Sequence, residues 1–169
     1  VGRVAILFSN LEHHVCLILE SLINENDGIV ANSVLPKTAG EIIVLLKKLA
    51  KYRLVGRDTL GNEVIGFAEE VDKLRELRNQ FIHGYWAFAG RQNGQVVMRC
   101  RSTRPNFECS AKGEVSWQRY STENTWSIPD LHKLADRIDV LGHSSDSIAR
   151  RVQALLKTQA VDTSKRKKP

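Results

Sequence analysis

The chain has 169 residues, 42% of them apolar and 26% charged, the balance of a single globular domain large enough to bury a core. Its uninterrupted apolar runs reach five residues, as in Val15 to Leu19, whereas a membrane-crossing helix needs about 20. The net charge of +6 takes four units from Lys165, Arg166, Lys167 and Lys168, so the body carries +2 and its basicity alone does not argue for nucleic acid.

In chain order, the first segment reads as one long helix. Val4, Phe8, Leu11, Val15, Ile18 and Leu22 recur in steps of four and three, and Ile6, Leu7, Leu17 and Leu19 widen the stripe. Asn26-Asp27-Gly28 reads as a stop. After Pro36, a second helix opens at Thr38, where Glu41 three residues on completes a capping box. Its expected face is Ile42, Leu45, Leu46, Leu49 and Arg53, with Lys47, Lys48 and Lys51 mostly elsewhere.

Gly56 to Asn62 reads as a polar connection. A third helix is expected from about Glu63, with Val64, Phe67, Val71, Leu74, Leu77 or Arg78, and Phe81 at helical spacing. Residues 91–126 change character. Alternating segments (Val96 to Ser102, Val115 to Tyr120) among glycines predict a β-rich insertion. This block holds six Lys/Arg against three acids, interleaved with Phe107, Trp117, Tyr120 and Trp126. Such a mixture suits single-stranded RNA, with Arg99, Arg101 and Arg104 as candidate contacts. It equally suits a ribbon whose aromatics pack on helices.

The last helix is expected near Ser127, a good N-cap, followed by Pro129 and Asp130 in the first turn. Its seam is Leu131, Leu134, Ile138, Leu141, Ser145, Ile148, Val152 and Leu155. The polar Ser145, with Gly142 and Ser144, marks a close approach or a bend. The expected fold is mainly α, an up-and-down bundle of four helices. Residues 1–160 form one domain and 161–169 a basic disordered tail.

The three cysteines (Cys16, Cys100, Cys109) are odd in number and lack a C-x-x-C, so neither a disulfide framework nor structural zinc is expected. Cys100 and Cys109 remain candidates to face each other across a ribbon. No basic stretch leads into a cleavable apolar segment at the start, and a reducing cytoplasm is the expected setting. His13 and His14 are adjacent and point apart on a helix, so they cannot chelate one metal together. His132 and His143 have no evident partner. Glycine-rich phosphate loops and the usual hydrolase signatures are absent. No metal and no cofactor is implied.

The end of the third helix carries the sharpest signal: Leu77-Arg78-Asn79-Gln80-Phe81-Ile82-His83-Gly84-Tyr85-Trp86. Arginine grips phosphate oxygens, and histidine moves protons near neutral pH. The stretch Arg78-Asn79-Gln80-Phe81-Ile82-His83 resembles the R-x-x-x-x-H signature of HEPN domains (higher eukaryote and prokaryote nucleotide-binding). The resemblance covers roughly residues 69–86. It implies a helical bundle, a homodimer with two motifs meeting at the interface, and metal-independent endoribonuclease activity in defence or toxin–antitoxin function. It assigns catalysis to Arg78, Asn79 and His83, and phosphate contact or modification to Tyr85. A nucleotidyltransferase antitoxin is the implied modifying partner. A long first helix and the 91–126 insertion depart from small toxin-type members.

Residues five apart on a regular helix point about 140° apart, so Arg78 and His83 do not sit side by side. Either Arg78 bends around, the helix ends irregularly near Gly84, or a second protomer completes the site. The structural alternative makes His83 a helix-end histidine favoured by the dipole and pairs Arg78 with Glu12 or Glu20. The function then reduces to a non-catalytic helical dimer that binds a nucleotide, RNA or a partner protein.

Overall fold

The computed structural model describes residues 2–23, 38–109 and 115–166. The predicted stop at Asn26-Asp27-Gly28, Pro36 and the last three residues lie outside them. Four helices, α1 (Gly2–Leu22), α2 (Ala39–Arg53), α3 (Asp58–His83) and α4 (Ile128–Arg166), surround one core. Three strands, β1 (Tyr85–Gln92), β2 (Gln95–Cys109) and β3 (Val115–Ser127), form an antiparallel sheet between α3 and α4 in the order β1-β2-β3.

The seam of α1 is the one the spacing predicts: Val4, Phe8, Leu11, Val15, Ile18 and Leu22 are all buried. In α2 the face is turned by one residue. Ile43, Leu46, Ala50 and the following Leu54 are buried, while Ile42, Leu45 and Leu49 only flank the core. Two adjacent apolar rows run along this helix, and periodicity alone does not choose between them. Thr38 caps α2 as expected: its backbone N–H donates to Glu41 Oε2 (2.8 Å), and its hydroxyl accepts from the Glu41 N–H (3.4 Å). Helix α3 begins at Asp58, inside the segment expected to be a connection, and Leu60 and Gly61 of its first turn are buried.

The helix directions overturn the up-and-down order. Arg3 reaches Asp136 (3.0 Å), His14 reaches Asp146 (3.1 Å) and Gln153 reaches Ser21 (3.1 Å), so α1 and α4 run parallel. Glu63 meets Arg151 (2.7 Å) and Glu70 meets Arg137, so α3 runs against α4. Gly40 faces the Arg75 guanidinium and Gly61 faces Leu54, which sets α2 against α3 and along α1. The order is up, up, down, up. The sheet joins the antiparallel pair α3 and α4, whereas the parallel pair α1 and α2 are the consecutive helices that need a long connection. These contacts report register, and the exposed arginine–carboxylate pairs among them add little stability in water.

Ser127 and Asp130 form the predicted start of α4. The Ser127 N–H (3.0 Å) and hydroxyl (2.6 Å) donate to Asp130 Oδ2, and this hydrogen bonding holds the Asp130 carboxyl below its ordinary range. Along α4, Ser145 is buried and its hydroxyl donates to the Gly142 carbonyl. A Cβ on Gly142 would stand 4.0 Å from the His14 ring, an ordinary contact, so this glycine marks the face towards α1 without being required by close approach. His143 is also partnered: its Nδ1 lies 2.9 Å from the Asp139 carbonyl oxygen, which together with the Asp139 carboxylate raises its pKa. The helix continues to Arg166, into the segment read as a tail.

The sheet starts at Tyr85 and ends at Ser127, wider than the expected 91–126. Cys100 and Cys109 lie on the same strand, nine residues apart, so they do not face each other. Among the described residues no helix is long and apolar enough to cross a membrane.

Candidate functional site

Helix α3 remains regular through His83, and Gly84 breaks it into β1. The junction is built around Phe81, 3% exposed. Its ring stacks on Trp86 (centroids 5.3 Å apart, 10° between planes) and meets Trp126 edge-on (4.8 Å, 62°). Offset and edge-on pairs are the favoured aromatic geometries.

The last four carbonyls of a helix have no partner within it. At this end the sheet supplies two. The Trp86 indole N–H donates to the Phe81 carbonyl (3.0 Å), and the Cys100 thiol donates to the Gln80 carbonyl (3.3 Å). Asn124 Nδ2 donates to the Gln80 side-chain oxygen (2.8 Å). Burial pushes the Cys100 thiol pKa up, which suits a capping donor and not a nucleophile. A Cβ on Gly84 would fall 2.2 Å from the Gln80 carbonyl oxygen and 2.5 Å from the Cys100 sulfur, so the glycine is required by close approach. Trp86, Cys100, Asn124 and Trp126 do not emerge as anchors from sequence reasoning. Phe81 followed five residues later by Trp86 is the signal that was available.

The motif residues divide between two environments. Arg78 is half-buried against α1: its guanidinium lies 5.9 Å from the Phe8 ring centre and donates to Asn79 Oδ1 (3.1 Å). It acts electrostatically on Glu12, whose carboxyl is pushed up by burial and pulled partly back by the Arg78 charge. Glu12 lines a half-open cleft of about 280 Å³ with Phe8, Cys16, Ile42 and Val71. His83 is exposed at the end of α3, and Tyr85 is 75% exposed on β1. Arg78 and Asn79 thus meet, and His83 lies one turn beyond Asn79 on its side of the helix, about 140° round from Arg78. Arg78 does not bend around to His83, and the helix does not end irregularly.

Strand alternation gives the sheet two different faces. Trp86, Cys100 and Asn124, which are register partners, belong to the face that closes on α3. Tyr85, Arg101 and Glu123 form a row on the opposite, exposed face, and Ala87, Arg99 and Thr125 form the next. Arg99 Nε pairs with Glu123 (3.1 Å), and Arg101 Nε donates to the Ser121 hydroxyl (2.9 Å). Arg104 pairs with Tyr120 in the ladder, and the side chains of both lie outside the described residues. The same holds for Phe107 and Trp117.

Among the described residues no group of three or more His, Cys, Asp or Glu is placed to hold a metal ion. No family model, curated protein or solved structure matches the chain.

Proposed function

We propose that the chain is a HEPN-type, metal-independent endoribonuclease whose site is completed by a second copy. The supporting observation is the exposure of His83 at the end of α3, one turn beyond the Arg78–Asn79 pair. A single protomer separates the cation from the proton carrier. Two α3 ends brought together about a two-fold axis supply two imidazoles to one phosphodiester.

In that arrangement one His83 removes the proton from the RNA 2′-hydroxyl. The 2′-oxygen bonds to phosphorus, and the second His83 protonates the departing 5′-oxygen. The products are a 2′,3′-cyclic phosphate and a 5′-hydroxyl. Arg78, oriented by Asn79, neutralises charge on the crowded phosphate. The exposed Tyr85 hydroxyl is open to adenylylation by a nucleotidyltransferase of the toxin–antitoxin kind. Cleavage of RNA in EDTA tests the reading. The expected result is metal-independent cutting, reduced by about 100-fold or more in His83→Ala. Chelator-sensitive cutting, or cutting that survives in both His83→Ala and Arg78→Ala, overturns it.

A second reading is favoured by one observation: Arg78 is already engaged by Asn79 and the Phe8 ring. Here the bundle is a non-catalytic dimer that binds a nucleotide, RNA or a partner protein. Native mass spectrometry showing a dimer, with no RNA cleavage, supports it. A monomer counts against both readings.

A further inference from the structure

The exposed face of the sheet has a composition that neither the core nor the proposed chemistry requires. Tyr85 presents its ring to solvent, 75% exposed, directly across from Arg101 in the β1–β2 register. Such cross-strand neighbours have Cβ atoms about 4.5–5.5 Å apart. Arg101 commits its Nε–H to Ser121. A guanidinium carries five N–H donors, so those on its two terminal nitrogens remain for a ligand. Thr103, Ser121, Thr125 and Ala87 around them are small, so the ring and the guanidinium stand clear. Glu123 is the one carboxylate in these rows, and it is paired with Arg99.

We infer that this face is a platform for single-stranded RNA, with one base stacked on Tyr85 and the adjoining phosphate held by Arg101. A ring three-quarters open to solvent beside a cation matches the two recognition elements of a single strand, a base face and a backbone charge. A duplex offers no free base face to the ring. An acidic peptide would satisfy Arg101 but leave Tyr85 without a role.

The position of the platform deepens the nuclease reading, on which this last step rests. His83 precedes Tyr85 by two residues, so their Cα atoms are at most about 7.6 Å apart. A strand seated on Tyr85 brings its next backbone linkage towards the imidazole. Tyr85 is then a substrate-positioning residue through its ring, a role separate from any modification of its hydroxyl.

The test is fluorescence anisotropy of a 5′-labelled 12-nucleotide single-stranded RNA in EDTA and low salt, on the full chain. Tyr85→Ala and Arg101→Ala should each weaken binding about tenfold, Tyr85→Phe should stay within about twofold, and His132→Ala, exposed on α4, should bind like the wild type. Circular dichroism melting checks that each variant is folded; these side chains are exposed. Undetectable wild-type binding, unchanged binding in Tyr85→Ala, equal binding of duplex RNA, or equal competition by polyglutamate overturns the inference. If the platform binds as expected while the wild type cuts no RNA, the platform stands and the nuclease reading falls. If RNA is cut and Tyr85→Ala binds and cuts normally, the reverse holds.

Discussion

Within ten residues the end of α3 contains two regions built for opposite purposes. Gln80, Phe81 and Trp86 are turned inward and held by Cys100, Asn124 and Trp126. His83 and Tyr85, interleaved with them, are turned outward, and their side chains take part in no such network. The contrast teaches that the apolar residues inside the motif are not filler between chemical groups. They fasten the helix end to the sheet, and the fastening fixes where His83 and Tyr85 point.

The comparison can be broken most forcefully from the inner side. Phe81→Ala removes the ring that stacks on Trp86 and meets Trp126, and should cost about 3–5 kcal/mol, read as a lowered denaturation midpoint in urea. Gly84→Ala forces a methyl against the Gln80 carbonyl and the Cys100 sulfur. It should cost about 1–3 kcal/mol by the same measurement, and in a crystal structure it should displace β2 from the helix end.

Arg78→Ala sits between the two regions. Losing the contact with Phe8 should cost about 0.5–1 kcal/mol. Its sharper signature is at Glu12. Arg78 lowers a carboxyl pKa that burial raises, so the variant should raise it further, measurable by NMR titration. A carboxyl whose folded pKa lies above its unfolded value makes stability fall as pH rises through the interval between them. The variant widens that interval upward from about 4.5. On the outer side, His83→Ala should change stability by less than about 0.5 kcal/mol, the smallest effect of the set. A loss as large as that of Phe81→Ala would mean that His83 belongs to the core and would remove the distinction between the two sides.

Much of the bundle was legible because one residue class repeated without competition. Val4 to Leu22 left a single apolar face for α1, and Thr38 and Ser127 named their own helix starts. In α2, the adjacent rows containing Ile42 and Ile43 left the face undecided by one position. Helix direction was not legible at all, since a periodic seam reads the same upward and downward. The strand start at Tyr85 was hidden because Tyr-Trp-Ala-Phe also continues a helical pattern. For the candidate site, the 140° offset of Arg78 and His83 followed from helix geometry and holds in the fold. The capping roles of Trp86 and Cys100 depended on a sheet that returns to the helix end from 20 residues away. No local pattern announces such a contact.

The polar pairs between α1 and α4 have a consequence for alignment. Two parallel helices with heptad seams can in principle slide by one repeat and still set apolar rows against each other. Here a seven-residue slip would exchange Asp136 opposite Arg3 for His143 and Asp146 opposite His14 for Gln153, so the polar partners are lost while the apolar rows still meet. The polar pairs therefore work like a key cut for one lock position. By fixing how far α4 sits along α1, they also fix where the sheet that leads into α4 begins, and hence the height at which His83 and Tyr85 stand relative to Phe8 and Glu12.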